Sequence, residues 1–153
     1  MIELEDLPEL DNPIMIAAFE GWNDAGDAAT AVVEHLSELW GAEAVAALDP
    51  EDYYDFQVNR PRVVIDGGKR RISWRTTRIL IATDTPIGRD VVLIHGVEPS
   101  FRWRAFAIEL MEFAQTADVQ LVLTLGALMA DVAHSRPIPV TVSSDQEEVR
   151  HRF

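Results

Sequence analysis

The sequence predicts an α/β fold, a three-layer α/β/α sandwich around a largely parallel central sheet, and three observations predict it. Short continuous apolar runs recur along the chain. Two longer segments carry apolar residues at helical spacing, and the two kinds of segment alternate. The 153 residues are 48% apolar and 25% charged, inside the globular range and enough for one domain, 1–153, with a real core.

The first run, Ile14-Met-Ile-Ala-Ala-Phe19, is continuously apolar and follows Pro13, which predicts a strand buried on both faces. Glu20-Gly-Trp-Asn-Asp-Ala-Gly26 then turns the chain, and Asn23 or Asp24 can cap the helix that follows. Its apolar stripe is Ala25, Ala28, Ala29, Val32, Val33, Leu36 and Trp40, and Gly41 is placed to end it. Ala44–Leu48 reads as a second strand. The stretch 51–61 shows neither period and reads as an ordered loop.

Residues 62–74 read as a β-hairpin turning at Asp66-Gly67-Gly68. Ile79–Ala82 and Val91–Ile94 are two further buried strands, and Pro99-Ser100 opens a second helix with the stripe Trp103, Phe106, Ala107, Leu110, Met111, Ala114. Leu121–Leu125 is the last strand, also expected to be buried. Residues 1–13 read as an acidic N-terminal extension. At the other end Ser144 and Glu147 form a capping box, so 143–153 read as the start of an incomplete helix in a chain cut short.

Charge is unevenly distributed. With 26 acids against 13 bases the formal charge is −13, and residues 1–60 hold 15 of the acids with Arg60 as their single base. Seven bases then fall between Arg60 and Arg78. A solvated hairpin face is the simplest reading of that basic run, and a ribbon meeting an acidic patch on a neighbouring subunit is the sharper one. An acidic chain of this kind lacks the excess of Lys and Arg that a sequence-independent grip on nucleic acid requires. The longest apolar stretches are strand-sized, short of a bilayer span, and the acidic first residues do not resemble a secretory signal. With no cysteine, disulfides and thiolate metal sites are excluded. A cytoplasmic protein with no nucleic-acid or membrane partner and no cofactor is the expectation.

Phosphate-loop, dinucleotide-binding, zinc-protease and nucleophile-elbow motifs are all absent. What remains is a set of polar residues just past strand ends, Glu20, Asn23 and Asp24, then His95, Glu98 and Arg102, then Asp131, His134 and Arg136, with Trp22 in the first of these loops. Ligand crevices of open α/β sheets form at the carboxyl ends of strands, so these residues are candidates for one crevice. Asn23 and Asp24 have helix capping as a competing role. His95 and Glu98 with Asp131 and His134 have residue types suited to zinc or manganese, but one His per loop is a weak pattern, and no metal site is assigned. No catalytic residue is assigned either.

Several stretches together resemble the proteasome assembly chaperone 2 family. They are Phe19–Ala29, Asp49–Phe56 with Asn59-Arg-Pro61, Gly96-x-Glu98-Pro99 with Arg102-Trp103, and Leu125–His134 with Arg136-Pro137. The likeness is to bacterial members and covers most of the chain. It implies a phosphorylase/hydrolase-like α/β fold, self-association with a trimer among the assemblies allowed, other proteins as further partners, and a chain that continues past Phe153. Eukaryotic members are chaperones for proteasome α subunits, so the resemblance implies a non-enzymatic assembly or scaffold protein acting through an oligomeric surface. The hairpin residues Val63, Ile65, Lys69, Arg70, Arg71, Ile72 and Trp74 are the expected oligomer contact. The alternative is a small-molecule enzyme of nucleosidase or phosphorylase type using the strand-end crevice, with His134 and Asp131 as its best acid–base pair.

Overall fold

The structure, a computed structural model, describes residues 7–133, 135–147 and 150. A five-stranded sheet forms in the order β2-β5-β6-β1-β7, from β1 (Ile14–Glu20), β2 (Glu43–Ala47), β5 (Arg78–Ala82), β6 (Val91–Val97) and β7 (Leu121–Thr124). A separate hairpin is made by β3 (Arg62–Asp66) and β4 (Lys69–Ser73). β1 pairs in parallel with both β6 and β7, whereas β5 runs against both of its neighbours. Four of the five strands therefore share one direction, and their carboxyl ends define one edge of the sheet.

Alternation along β1 divides its side chains between two layers. Ile14, Ile16 and Ala18 pack with Val91, Leu93, Ala29 and Val33 under α1 (Ala28–Trp40). Met15 and Ala17 pack with Val92, Ile94, Ile79 and Ile81 against Phe106, Leu110, Phe113 and Ala114 of α3 (Trp103–Thr116). A strand covered on both faces needs apolar side chains at every position, which is why 14–18 and 91–94 are continuously apolar and buried. The three layers are thus α1, the sheet, and α3.

Five local expectations differ from the structure. α1 starts at Ala28, not near Asn23, because Gly26 and Asp27 take left-handed φ values of 67° and 55° and insert a 3-10 turn at Ala25–Asp27. Its buried residues are Ala29, Thr30 and Val33, and Val32 is exposed. The second helix buries Phe106, Leu110, Phe113 and Ala114, so the stripe through Trp103, Ala107 and Met111 is rotated away from the sheet and exposed. Residues 51–61 open with a one-turn helix, α2 (Pro50–Tyr53), capped by Asp49, whose Oδ1 accepts the Glu51 N–H at 2.9 Å. β7 lies at the sheet edge with alternate half-buried and exposed residues, so the run at 121–125 is not a buried strand.

Other turns follow the sequence closely. Gly41 ends α1 in the left-handed region at φ 61°, with the Ala42 N–H reaching the Ser37 carbonyl at 2.9 Å. The hairpin turns on Gly67-Gly68, both at positive φ, as a two-residue loop whose twist matches the strands demands. Leu7 and Leu10 pack against the α3-side core, and buried Asp90 accepts the N–H groups of Asp11 and Asp84 at 2.8 and 3.1 Å. Ser144 Oγ accepts the Gln146 N–H at 3.1 Å, and the Arg150 N–H reaches the Gln146 carbonyl at 3.2 Å. Residues 1–6, 148–149 and 151–153 of the expected terminal segments lie outside the described residues. Among the described residues no helix is long and apolar enough to cross a membrane.

Central and edge strands should differ sharply in tolerance. Leu93→Ala, at a fully buried position in β6, is expected to cost about 2–5 kcal/mol in urea unfolding. Val122→Ala on the outer edge of β7 should cost less than about 1 kcal/mol. Equal costs would contradict this placement of the strands.

Candidate functional site

At the carboxyl edge of the sheet the chain leaves β1 through Glu20-Gly-Trp-Asn-Asp24, and hydrogen bonds sew this loop to the ends of β6 and β7. The Glu98 N–H donates to the Glu20 carbonyl at 2.9 Å, and the Trp22 N–H donates to Glu98 Oε2 at 3.2 Å. On the other side Ala127 N–H bonds the Asn23 carbonyl and Ala25 N–H bonds the Ala127 carbonyl, both at 2.9 Å. Two glycines permit this closeness. A Cβ on Gly21, which sits at φ 151°, would come within 2.5 Å of Glu98 Oε2, and one on Gly126 within 2.4 Å of Asn23 Nδ2.

Asp24 is buried at 4% exposure and its carboxylate is fully engaged. Oδ1 accepts the Ala29 N–H at 2.6 Å, and Oδ2 accepts the Thr30 N–H at 3.2 Å and the Thr30 hydroxyl at 2.5 Å. Because the 3-10 turn intervenes, Asp24 caps α1 from five and six residues away instead of the usual two or three. Burial pushes its pKa up, but the bonds from Thr30 and Ala29 outweigh that and hold the carboxyl below its ordinary value.

Of the sequence candidates, the structure brings together Glu20, Trp22, Asn23, Asp24 and Glu98. Trp22 is almost fully exposed, and Asn23 is exposed beside Gly126. Arg102 joins a different group. At a left-handed φ of 56° it pairs with Asp52 and lies 5.5 Å over the Tyr53 ring, tying the start of α3 to α2. Tyr53, whose hydroxyl donates to Glu109, has its pKa raised, first by burial and then by that bond. Asp131 and Arg136 lie on the exposed segment after β7, where their side chains make no hydrogen bond or ion pair among the described residues. His134 lies outside the described residues, and with it the Asp131–His134 pair. Among the described residues no three His, Cys, Asp or Glu side chains gather as a metal site would require.

Sequence reasoning missed the concavity that the fold does build at this edge. A cleft of about 230 Å³ is lined by Glu20, Arg62, Ser73, Trp74, Arg75, Thr76, Arg78, His95, Gly96 and Val97. Arg75 pairs with Glu20, and His95 Nε2 lies 3.5 Å from Glu34 Oε1 of α1. The basic run was visible, but the β5–β6 register that sets Arg78 opposite His95 was not. A wider hollow of about 730 Å³ lies beside α2, among Tyr54, Phe56, Arg60 and Phe101. Tyr54 closes its floor, its hydroxyl 2.8 Å from Thr77 Oγ1 and donating to the Val97 carbonyl at 3.0 Å.

The family model of the PAC2 family matches residues 18–153, which takes in this entire edge. The chain belongs to the PAC2 family. A PAC2 family protein from Streptomyces avermitilis is 55% identical over 91% of this chain and 60% of its own, with a TM-score of 0.85. A proteasome-assembly chaperone homologue from Mycobacterium tuberculosis is 44% identical over 92% of this chain and 60% of its own, with a TM-score of 0.83. A second Mycobacterium tuberculosis protein, of unknown function, is 28% identical over the full chain and 55% of its own, with a TM-score of 0.85. The chain thus spans about 60% of the length of the first two. No curated protein matches it. The PAC2 likeness therefore covers both the β1 exit loop and the hairpin.

Two substitutions test this edge. Asp24→Ala should destabilise the fold by about 1–3 kcal/mol, the range for removing a charged acceptor from buried donors. The folded pKa of Asp24 is depressed, so its contribution is present above the unfolded pKa and lost as pH falls through the folded one. In urea titrations the wild type should therefore lose its advantage over Asp24→Asn on acidification below about pH 4. A constant gap from pH 7 to pH 3 would contradict the assignment. Gly96→Ala should cost about 1–3 kcal/mol or more, because its Cβ would meet the Thr77 Cα at 2.4 Å.

Proposed function

We propose that this PAC2-family chain is a cytoplasmic, non-enzymatic assembly or scaffold protein that works as a homo-oligomer through its β3–β4 hairpin. One observation carries the reading. The hairpin presents Val63, Ile65 and Ile72 at 68%, 77% and 63% exposure, with no layer of the described residues over them. Register puts Val63 opposite Ile72 and Ile65 opposite Arg70, so these side chains share one face. A two-stranded ribbon is marginal alone and needs its apolar face covered. Covering it is worth about 1.5–3 kcal/mol per large apolar side chain.

The occupant proposed is a second copy, and charge argues for it. Lys69, Arg70 and Arg71 crown the hairpin, whereas the first 60 residues carry 15 acids and one base. Glu34, Glu38 and Glu43 lie exposed on and just after α1. A basic ribbon on one copy meeting an acidic face elsewhere on the next is a heterologous contact, and where its rotation closes it forms a ring, a trimer being the smallest. The likeness to a proteasome-assembly chaperone homologue supports a role in protein assembly.

Light scattering with size-exclusion chromatography tests this. The wild type is expected above the 17.1 kDa monomer mass, weakening as salt rises. Ile65→Glu and the triple reversal of Lys69, Arg70 and Arg71 to Glu should each fall to the monomer with unchanged circular dichroism. A monomeric wild type, or an unchanged mass in both variants, would remove the hairpin as the contact.

A further inference from the structure

The cleft at the base of the hairpin points to a second property, independent of oligomer formation. Its wall comes from separate parts of the chain: Glu20 ending β1, Arg62 opening β3, Ser73 ending β4 with Trp74–Thr76 after it, Arg78 opening β5, and His95 near the end of β6. Three arginines against one glutamate give the wall a net charge of +2 with His95 neutral. Glu20 is taken by Arg75. Arg62 and Arg78 have no ion pair or hydrogen bond among the described residues, in a chain where acids outnumber bases 26 to 13. Unpaired guanidinium groups lining one hollow repel each other, and an anion between them reverses that cost. The Ser73 hydroxyl adds a small donor, and the Trp74 indole an apolar wall at 44% exposure.

We infer that this cleft binds a small phosphate monoester, its phosphate held by Arg62 and Arg78 beside Arg75 and its organic part against Trp74. Guanidinium groups suit this role because their donors form parallel pairs with phosphate oxygens. At about 230 Å³ the hollow falls below the roughly 300–1,000 Å³ usual for drug-sized ligands, which limits the ligand to a phosphate on a compact group. Arg62 belongs to the hairpin and Arg78 to the sheet, so the bound phosphate bridges the two. It joins the Phe56–Trp74 ring contact at 4.7 Å and the Arg75–Glu20 pair in fixing the hairpin's base.

The test is calorimetric titration and thermal unfolding of the whole protein with inorganic phosphate and ribose 5-phosphate, against sodium chloride at equal ionic strength. One saturable site is expected, with a rise in Tm of about 3 °C at ten times Kd. Ribose 5-phosphate should bind several-fold tighter than inorganic phosphate, and Trp74→Ala should abolish that difference while leaving inorganic phosphate bound. Arg62→Gln and Arg78→Gln should each lose about ten-fold or more in affinity, the scale of one charge-assisted pair. Arg104→Gln on exposed α3 should bind as the wild type does. Two variants guard against one misfolding, as checked by circular dichroism. Absence of binding beyond chloride overturns the inference, as does equal affinity in both arginine variants, which would mean an adventitious ion only. Ester binding no tighter than inorganic phosphate overturns the ester assignment.

Discussion

The double pairing of β1 holds this molecule together. Its backbone is hydrogen-bonded in parallel to β6 on one side and β7 on the other, while its side chains supply both core layers. A strand in that position can carry neither polar side chains nor a register error, since a one-residue slip would exchange the α1 and α3 faces. Its register also decides what happens at the carboxyl edge. Once Glu20 is level with Val97, the exit loop is brought within hydrogen-bond distance of Glu98 on one side and Ala127 on the other. The polar network at the edge is thus a consequence of core packing upstream of it.

That dependence explains which parts of the structure were legible in the sequence. Ile14–Phe19 and Val91–Ile94 could be read because burial on both faces leaves only one kind of residue, and Gly67-Gly68 because a tight hairpin needs positive φ at both central positions. The helix stripes were misread where helices carry more apolar residues than the sheet can cover. Trp103 and Met111, eight residues apart, fit a helical stripe as Phe106 and Phe113, seven apart, do, but they are exposed, and periodicity alone does not rank two overlapping stripes. β7 looked like a core strand because its composition is apolar. Its edge position follows from strand order, which no local pattern records.

The candidate site divides along the same line. Glu20, Asn23, Asp24 and Glu98 lie at one edge because they follow strands that run one way. The chemistry of that edge was harder to foresee. Asp24, the most buried acid in the loop, is committed to α1, and Glu98 accepts a backbone N–H, so the loop's carboxylates are largely spent on holding the loop. Asp24 could be recognised as a cap, but its reach of five and six residues depends on the left-handed pair Gly26-Asp27, which no propensity for aspartate reveals.

The antiparallel strand β5 sets which basic residues reach this edge. Because it runs against β6, its first residue, not its last, reaches the carboxyl edge, and Arg78 stands there opposite His95. An all-parallel sheet would instead bring the end of β5, Ala82, to that edge and leave Arg78 at the far one. The reversal also delivers the hairpin to the same edge, since β4 feeds β5 through the short link Trp74–Thr77. One change of direction therefore concentrates Arg62, Arg75 and Arg78 beside a loop whose acids are already engaged. Six of the seven bases that the sequence places from Arg60 to Arg78 are thereby divided into two groups, and Arg60 lies apart at the hollow beside α2. Lys69, Arg70 and Arg71 stand at the hairpin tip, facing outward from the fold, and the three cleft arginines line its base. Charge that reads as one basic run along the chain thus becomes two separate surfaces, an exposed hairpin tip and the wall of a cleft.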